Sequence, residues 1–310
     1  MKAKGTILLL ITALLWGLAF VAQSTAADHI GPFTFNASRN YIGALFLCGV
    51  IAVRKRNGHD RAPGEAGSGY SRKTLIIAGV ACGIALFAAS YLQQAGITSY
   101  PADAAASGRS AFVTATYMVM VAVAGIFMGN RSHPLVFVAV VVAMLGMYLL
   151  CVPDGFGSIL FGDGLVLLSA VGYAVHIFII DRFTAVDGVR LSQVQLLVSG
   201  TLALLGALIF EHPNIGVVIA ALVPILYAGI CSDGIAYTLQ IIGVQICDTT
   251  VATIIMSLES VFAGLGGWII LSESLTPIEL LGCVLVFAAV LLSQVPELIN
   301  KPQSDGQIRP

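Results

Sequence analysis

Ten long apolar stretches, separated by short polar turns, occupy most of this 310-residue chain. They cover residues 6–26, 34–53, 74–94, 102–128, 134–152, 162–180, 191–210, 215–242, 248–271 and 277–295. A bilayer-spanning helix needs about 20 mostly apolar residues. In lipid, every backbone N–H and C=O must be satisfied within the protein, which restricts spanning structure to helices and closed barrels. Runs of this length predict helices. Only 10% of the residues are charged, against about 25% in an ordinary soluble domain. The solvent of this chain is therefore lipid. Its net charge of −1 gives no case for nucleic acid.

Lysine and arginine predict the orientation, because cytoplasmic loops carry the excess of basic residues. With the N-terminus inside, 13 of the 15 basic residues fall on the cytoplasmic side, and Arg39 and Arg109 lie within spans. The expectation is a multi-pass protein of the inner or plasma membrane with both termini cytoplasmic. Lys2, Lys4 and the apolar run after them also resemble a cleavable leader. Trp16, Gly17 and a repeat partner later in the chain argue that this span is retained. The six cysteines lie mostly in apolar runs without ligand spacing, and they read as small hydrophobes.

Several short matches suggest that the chain contains two related halves. Gly5, Leu8, Leu10, Thr12, Ala13 and Trp16 align at one offset with Gly162, Leu165, Leu167, Ser169, Ala170 and Tyr173. Leu92-Gln93-x-x-Gly96 aligns with Leu239-Gln240-x-x-Gly243, and the turn ending at Pro134 aligns with the one ending at Pro277. Five spans per half is an odd number, so the second half would enter the membrane from the opposite face. Inverted repeats place binding sites near the bilayer midplane at the interface between them.

Ionisable residues deep in spans are costly, about 2.5–3.5 kcal/mol each on insertion scales, and mark pathways. Arg109, about seven residues into the fourth stretch, lies roughly 10 Å from its outer end by helix rise. Its side chain either snorkels outward or faces a cavity to receive a carboxylate or phosphate. Glu259, near the middle of the ninth stretch, either balances a buried partner or binds substrate or a proton. If both face one cavity, each is the other's counter-charge. Asp233, between Gly229 and Gly234, either sits where its helix could bend or unwind or bonds a neighbouring helix. His176 is either a packing residue or a proton relay. Trp16 and Tyr173 are repeat-related aromatics and candidates to line the pathway. Arg39 reads as structural, Gln93 and Gln240 as helix contacts, and Asp103 as a helix-start residue.

The chain resembles the EamA-type transporters of the drug/metabolite transporter superfamily. The resemblance rests on Leu15-Trp16-Gly17-x-x-Phe20, Arg39, Ser110-Ala111-Phe112-Val113-Thr114 and Gly162-Asp163-Gly164. It continues through Gly172-Tyr173-Ala174, Leu271-Ser272-Glu273-Ser274-Leu275-Thr276 and Gly282. It implies ten helices, cytoplasmic termini and a central cavity between the halves. The chain departs from the family at Asn130, where a glutamate is common; the second hairpin keeps Glu273.

Taken together, the expected fold is an all-α integral membrane protein with ten transmembrane helices. They form a first five-helix repeat (1–153), a second, inverted five-helix repeat (154–296) and a cytoplasmic tail (297–310). The expected function is a secondary transporter, exporting a small metabolite such as an amino acid by alternating access. Its partners are a small-molecule solute and membrane lipid, with coupling either to a proton through Glu259 or to none. The expected substrate cavity comprises Trp16, Arg109, Tyr173, His176, Asp233 and Glu259. No metal or cofactor is expected. No phosphate-binding Gly-x-x-x-x-Gly-Lys-Ser/Thr loop occurs, which argues against an ATP-driven pump. The alternatives are an intramembrane lipid-modifying enzyme, for which no cluster of metal ligands or carboxylates is visible, and a non-transporting scaffold, which does not require deep charges.

Overall fold

The computed structural model describes residues 2–58, 63–64, 69–101, 106–127, 133–151, 160–270 and 276–299. Among them the chain is helical, with no strand. It runs through α1 (Lys2–Ala27), α2 (Pro32–Arg56), α3 (Arg72–Thr98), α4 (Ala106–Ala115), α5 (Tyr117–Phe127), α6 (Pro134–Cys151), α7 (Phe161–Arg182) and α8 (Gly188–Gly206). A π-helical extension, Ala207–Glu211, follows α8. Next come α9 (Ile215–Ala220), α10 (Leu222–Tyr227) and a second π-helical segment, Ala228–Ala236. The chain ends with α11 (Tyr237–Val244), α12 (Thr249–Met256), α13 (Glu259–Ile270) and α14 (Pro277–Ile299). Asp103, Glu273 and most of the two matched turns lie outside the described residues, as do parts of the segment between α2 and α3.

Seven stretches among the described residues are long and apolar enough to cross a membrane: Ala3–Ala27, Arg72–Thr98, Ala106–Gly125, Phe161–Arg182, Gly188–Glu211, Leu222–Val244 and Thr249–Ile270. Pro134–Leu149 and Leu280–Ser293 are apolar but shorter. α2 is less apolar because Asn36, Arg39 and Asn40 interrupt its run, and all three are buried. The polarity of the molecule is inverted relative to a soluble protein. Ile7, Leu14, Val141, Val171, Leu208 and Val284 are exposed, while Gln93, Gln94, Asp233 and Glu259 are buried. Such a surface is stable only against hydrocarbon.

Helices from the first part of the chain pack mainly on helices from the second. α1 lies against α13, α11 and the second π segment; α3 against α7 and α8; α2 against α8; α4 against α13 and α7; and α6 against α14. Lipid offers no hydrophobic drive to join helices, so contact depends on close packing of small residues. A Cβ on Gly96 would lie 2.9 Å from the Gly162 carbonyl, and one on Gly162 would lie 2.8 Å from that of Gly96. A Cβ on Gly146 would lie 2.8 Å from the Gly282 carbonyl. At both places backbone touches backbone, and no larger residue fits.

Polar side chains start the helices. Ser71, Asp187, Asn214 and Asp248 accept from the amides of Thr74, Arg190, Val217 and Val251 at 3.0, 3.0, 3.2 and 3.1 Å. Each satisfies an N–H that the helix itself leaves open. Glu211 caps α2 from across the molecule, accepting from the Phe33 and Thr34 amides, both at 2.8 Å. At the other end of the α2–α8 pair, Arg54 forks Asp187 at 3.1 and 2.8 Å. Burial acts to raise the Asp187 pKa, but the bonds from Arg54 and the Arg190 amide outweigh it and hold it below the ordinary 3.8. A depressed carboxyl pKa stabilises the fold above the unfolded value, and that stabilisation is lost as pH falls through the folded one. Asp187→Asn is therefore expected to lower thermal stability at neutral pH. The deficit relative to the parent should close as pH drops below 3.8, read by unfolding in detergent across a pH series.

Among the described residues, three of the ten apolar stretches are not continuous helices. The stretch 102–128 breaks at Thr116, between α4 and α5, and 248–271 breaks at Ser257 and Leu258, between α12 and α13. Hydroxyls bond back to the helix at both interruptions. Thr116 Oγ1 donates back to the Val113 carbonyl at 2.6 Å, and Ser257 and Ser260 donate to Ile254 and Ser257 at 2.7 and 2.8 Å. These bonds compete with the helical ladder. A third break, at Ala221, follows from Pro224, which lacks an N–H for the carbonyl four residues earlier. The irregularity expected around Gly229 and Gly234 is the second π segment.

Candidate functional site

Helices from both parts of the chain surround a central cavity. Its walls come from α1 (Trp16, Phe20, Gln23), α2 (Arg39), α3 (Gln93), α4 and α5 (Thr114, Tyr117), α7 (Tyr173, Ile177), the second π segment (Ser232), α11 (Tyr237, Gln240) and α13 (Glu259). Thr114 and Tyr117 flank one helix break, and Glu259 flanks the other. Irregular backbone at membrane depth is tolerated where it is buried in protein or lines a cavity.

Two polar systems cross it. Arg39 donates through Nε to Asp233 Oδ2 at 3.0 Å, and its Nη2 lies 2.9 Å from Oδ1. Both side chains are almost fully buried, at 3% and 0% exposure. Each charge is tolerable there because the other neutralises it. The guanidinium also lies over the Phe35 ring, 5.6 Å from its centroid. Opposite, Tyr173 donates to Gln93 Oε1 at 3.1 Å, and Gln93 Nε2 donates to Thr114 Oγ1 at 3.0 Å. Trp16 meets Tyr237 edge to face at 5.0 Å.

Glu259 has a different environment. It is 3% exposed, and its Oε1 has no hydrogen-bond partner among the described residues. It is held in place by a close helix crossing. A Cβ on Gly17 would fall 2.7 Å from the Glu259 carbonyl and 2.9 Å from the Ala263 amide nitrogen. Gly17 therefore lets α1 ride directly on the first turn of α13. Trp16 Nε1, Gln23 Oε1, Tyr117 Oη and Gln240 Oε1 are likewise buried and unpaired among the described residues. Unsatisfied buried polar atoms are rare in native proteins, and here five of them line one chamber.

Of the residues expected from the sequence, Trp16, Tyr173 and Glu259 line this cavity, and Asp233 reaches it through Arg39. Arg109 and His176 lie elsewhere. Arg109 grips Asp163 at the start of α7, with Nε and Nη2 at 2.6 and 2.5 Å from its two oxygens, and Tyr100 donates to the same carboxylate at 2.9 Å. The counter-charge of Arg109 is Asp163, not Glu259. His176 bonds Gln195 at 2.8 Å in the α7–α8 packing. Arg39 is the cavity residue that a structural reading left out, although its charge within a span was the signal. Gln93 and Gln240 are wall residues as well as helix contacts, and their repeat match could have marked them.

The EamA-like transporter family model matches residues 3–152 and 160–294. An uncharacterized transporter of Archaeoglobus fulgidus is 26% identical over 290 residues, 92% of this chain and 83% of that protein. The uncharacterized transporter YoaV of Bacillus subtilis is 21% identical over 286 residues, 90% and 93% of the two chains. A solved crystal structure superimposes with a TM-score of 0.77, covering 97% of this chain and all of the other at 17% identity, a likeness of fold.

Proposed function

The chain belongs to the EamA-like transporter family, and from that premise we propose that it is a secondary transporter that exports a small metabolite, such as an amino acid, by alternating access. That it is a multi-pass membrane transporter follows from the family and its seven apolar spanning stretches. The observation that carries the finer reading is Glu259: a buried carboxylate with an unpaired oxygen, in a chamber walled by both parts of the chain.

In this reading the helices form two inverted five-helix repeats, 1–153 and 154–296, with a cytoplasmic tail at 297–310. The pattern of helix pairing supports that division. α2 with α8, α4 with α13 and α6 with α14 each join corresponding elements of the two parts, and α3 on α7 mirrors α11 on α1. The cavity then opens to one face at a time as the repeats rock. Glu259 carries a proton or binds solute directly, and neither a cofactor nor catalysis is required. Counterflow of labelled solute in proteoliposomes, run against a panel of metabolites, tests it. At least one solute should exchange, and Glu259→Gln should abolish or strongly reduce net flux while the protein remains folded. Wild-type net flux in Glu259→Gln would remove Glu259 from the mechanism, and no exchange of any solute would overturn the transporter reading.

The cell membrane is the proposed location, with both termini cytoplasmic, on the strength of the basic-residue bias. A cysteine replacing the exposed Asn57, in a background lacking the native six, should resist an impermeant thiol reagent added to intact cells. Labelling from outside would reverse the orientation.

A further inference from the structure

We infer that the cavity recognises the ammonium group of a small amine, with Glu259 as its counter-ion, and that a free carboxylate on the same solute is disfavoured. This rests on the transporter reading above and narrows its solute to amines without a free carboxylate, in place of the amino acid named there as an example.

The sign of the site is set by which charges are already engaged. Among the described residues lining the cavity, Arg39 is the one cation, and Asp233 holds it through two short contacts. A solute carboxylate would have to displace Asp233, leaving a fully buried anion without its partner, which is costly. Glu259 Oε1 is an acceptor awaiting a donor.

The unpaired amide oxygens point the same way. Gln23 Oε1 and Gln240 Oε1 are buried acceptors without donors, as Glu259 Oε1 is. An ammonium supplies donors and no acceptor, which is what these oxygens lack. The walls suit it as well, because Trp16, Tyr117, Tyr173 and Tyr237 present aromatic surface to the same space. A cation over an aromatic face is attracted by the ring quadrupole, more strongly when desolvated. A small primary amine with an apolar body thus matches the charge, the missing donors and the lining. A zwitterion matches with one end only.

Three ligands of one shape test this directly: phenethylamine, phenylalanine, which adds a carboxylate, and 3-phenylpropionate, which replaces the amine by a carboxylate. The chain has two tryptophans, and Trp268, at 52% exposure, faces outward. Trp268→Phe therefore leaves Trp16 to report binding in the cavity by fluorescence of the purified full chain. Phenethylamine should bind at least about tenfold more tightly than phenylalanine, the step expected for one charged contact of roughly 1.4 kcal/mol, and 3-phenylpropionate should not bind. Adding Glu259→Gln should weaken phenethylamine by a similar factor. The ligand comparison needs no cavity variant, so it stands even where Glu259→Gln fails to fold. Equal or tighter binding of phenylalanine or 3-phenylpropionate, no binding of any of the three, or unchanged phenethylamine affinity in folded Glu259→Gln would each overturn the inference. Exchange of a carboxylate solute in the counterflow panel would overturn it too, while leaving the transporter reading standing.

Discussion

Replacing Arg39 with methionine is expected to destabilise the protein by about 3–5 kcal/mol, the usual cost of leaving one member of a buried pair alone. Asp233 is fully buried, and its neighbours in the second π segment are apolar or small. Without the guanidinium its charge has no route to water. Arg39→Met with Asp233→Asn should recover most of that loss, because the double replacement removes both charges together. Unfolding of purified protein in detergent measures all three variants. A double variant no more stable than Arg39→Met would show that the arginine works through packing, for example on Phe35, and not through Asp233.

The second large effect is expected at Arg109. Its grip on Asp163, with Tyr100 on the same carboxylate, ties α3 and α4 to the head of α7 where Gly96 and Gly162 touch. Breaking this latch should shift the population toward a state open at that end. Each 1.4 kcal/mol of latch energy is worth about tenfold in that equilibrium. A cysteine replacing Ile177 in the cavity wall, in a background lacking the native six, should be labelled from that side about tenfold faster in Arg109→Met. Unchanged labelling would mean that the pair fastens the helices in every state. Adding Glu259→Gln should not rescue Arg109→Met, since the two residues have different partners.

Legibility in the sequence followed the range of the forces involved. Helix starts were readable because a cap acts within three residues: Pro277 opens α14, where the tenth apolar stretch begins. Lipid-facing surface was readable because hydrophobicity is a property of each residue alone. Pairing was not. Arg109 and Asp163 stand 54 positions apart, and Arg39 and Asp233 stand 194 apart. Nothing in a single sequence tells which of several buried charges will meet. The depth of Glu259 in its stretch marked it correctly as lacking access to water, whereas the depth of Arg109 did not reveal that a carboxylate lay at the same level. The helix breaks at Thr116 and Ser257 were hidden for another reason. Threonine and serine are ordinary in spanning helices, and whether their hydroxyls bend the backbone depends on neighbouring helices.

The seam between α6 and α14 carries a mechanical consequence. Neither helix contributes to the cavity wall, yet their backbones meet at Gly146 and Gly282, with Leu285 and Val286 pressed into the same spot. A joint with so little clearance resists sliding but permits a small rotation about the point of contact. Under the alternating access proposed above, that point would act as a fulcrum: the chamber's walls would travel farthest, and the seam would scarcely move.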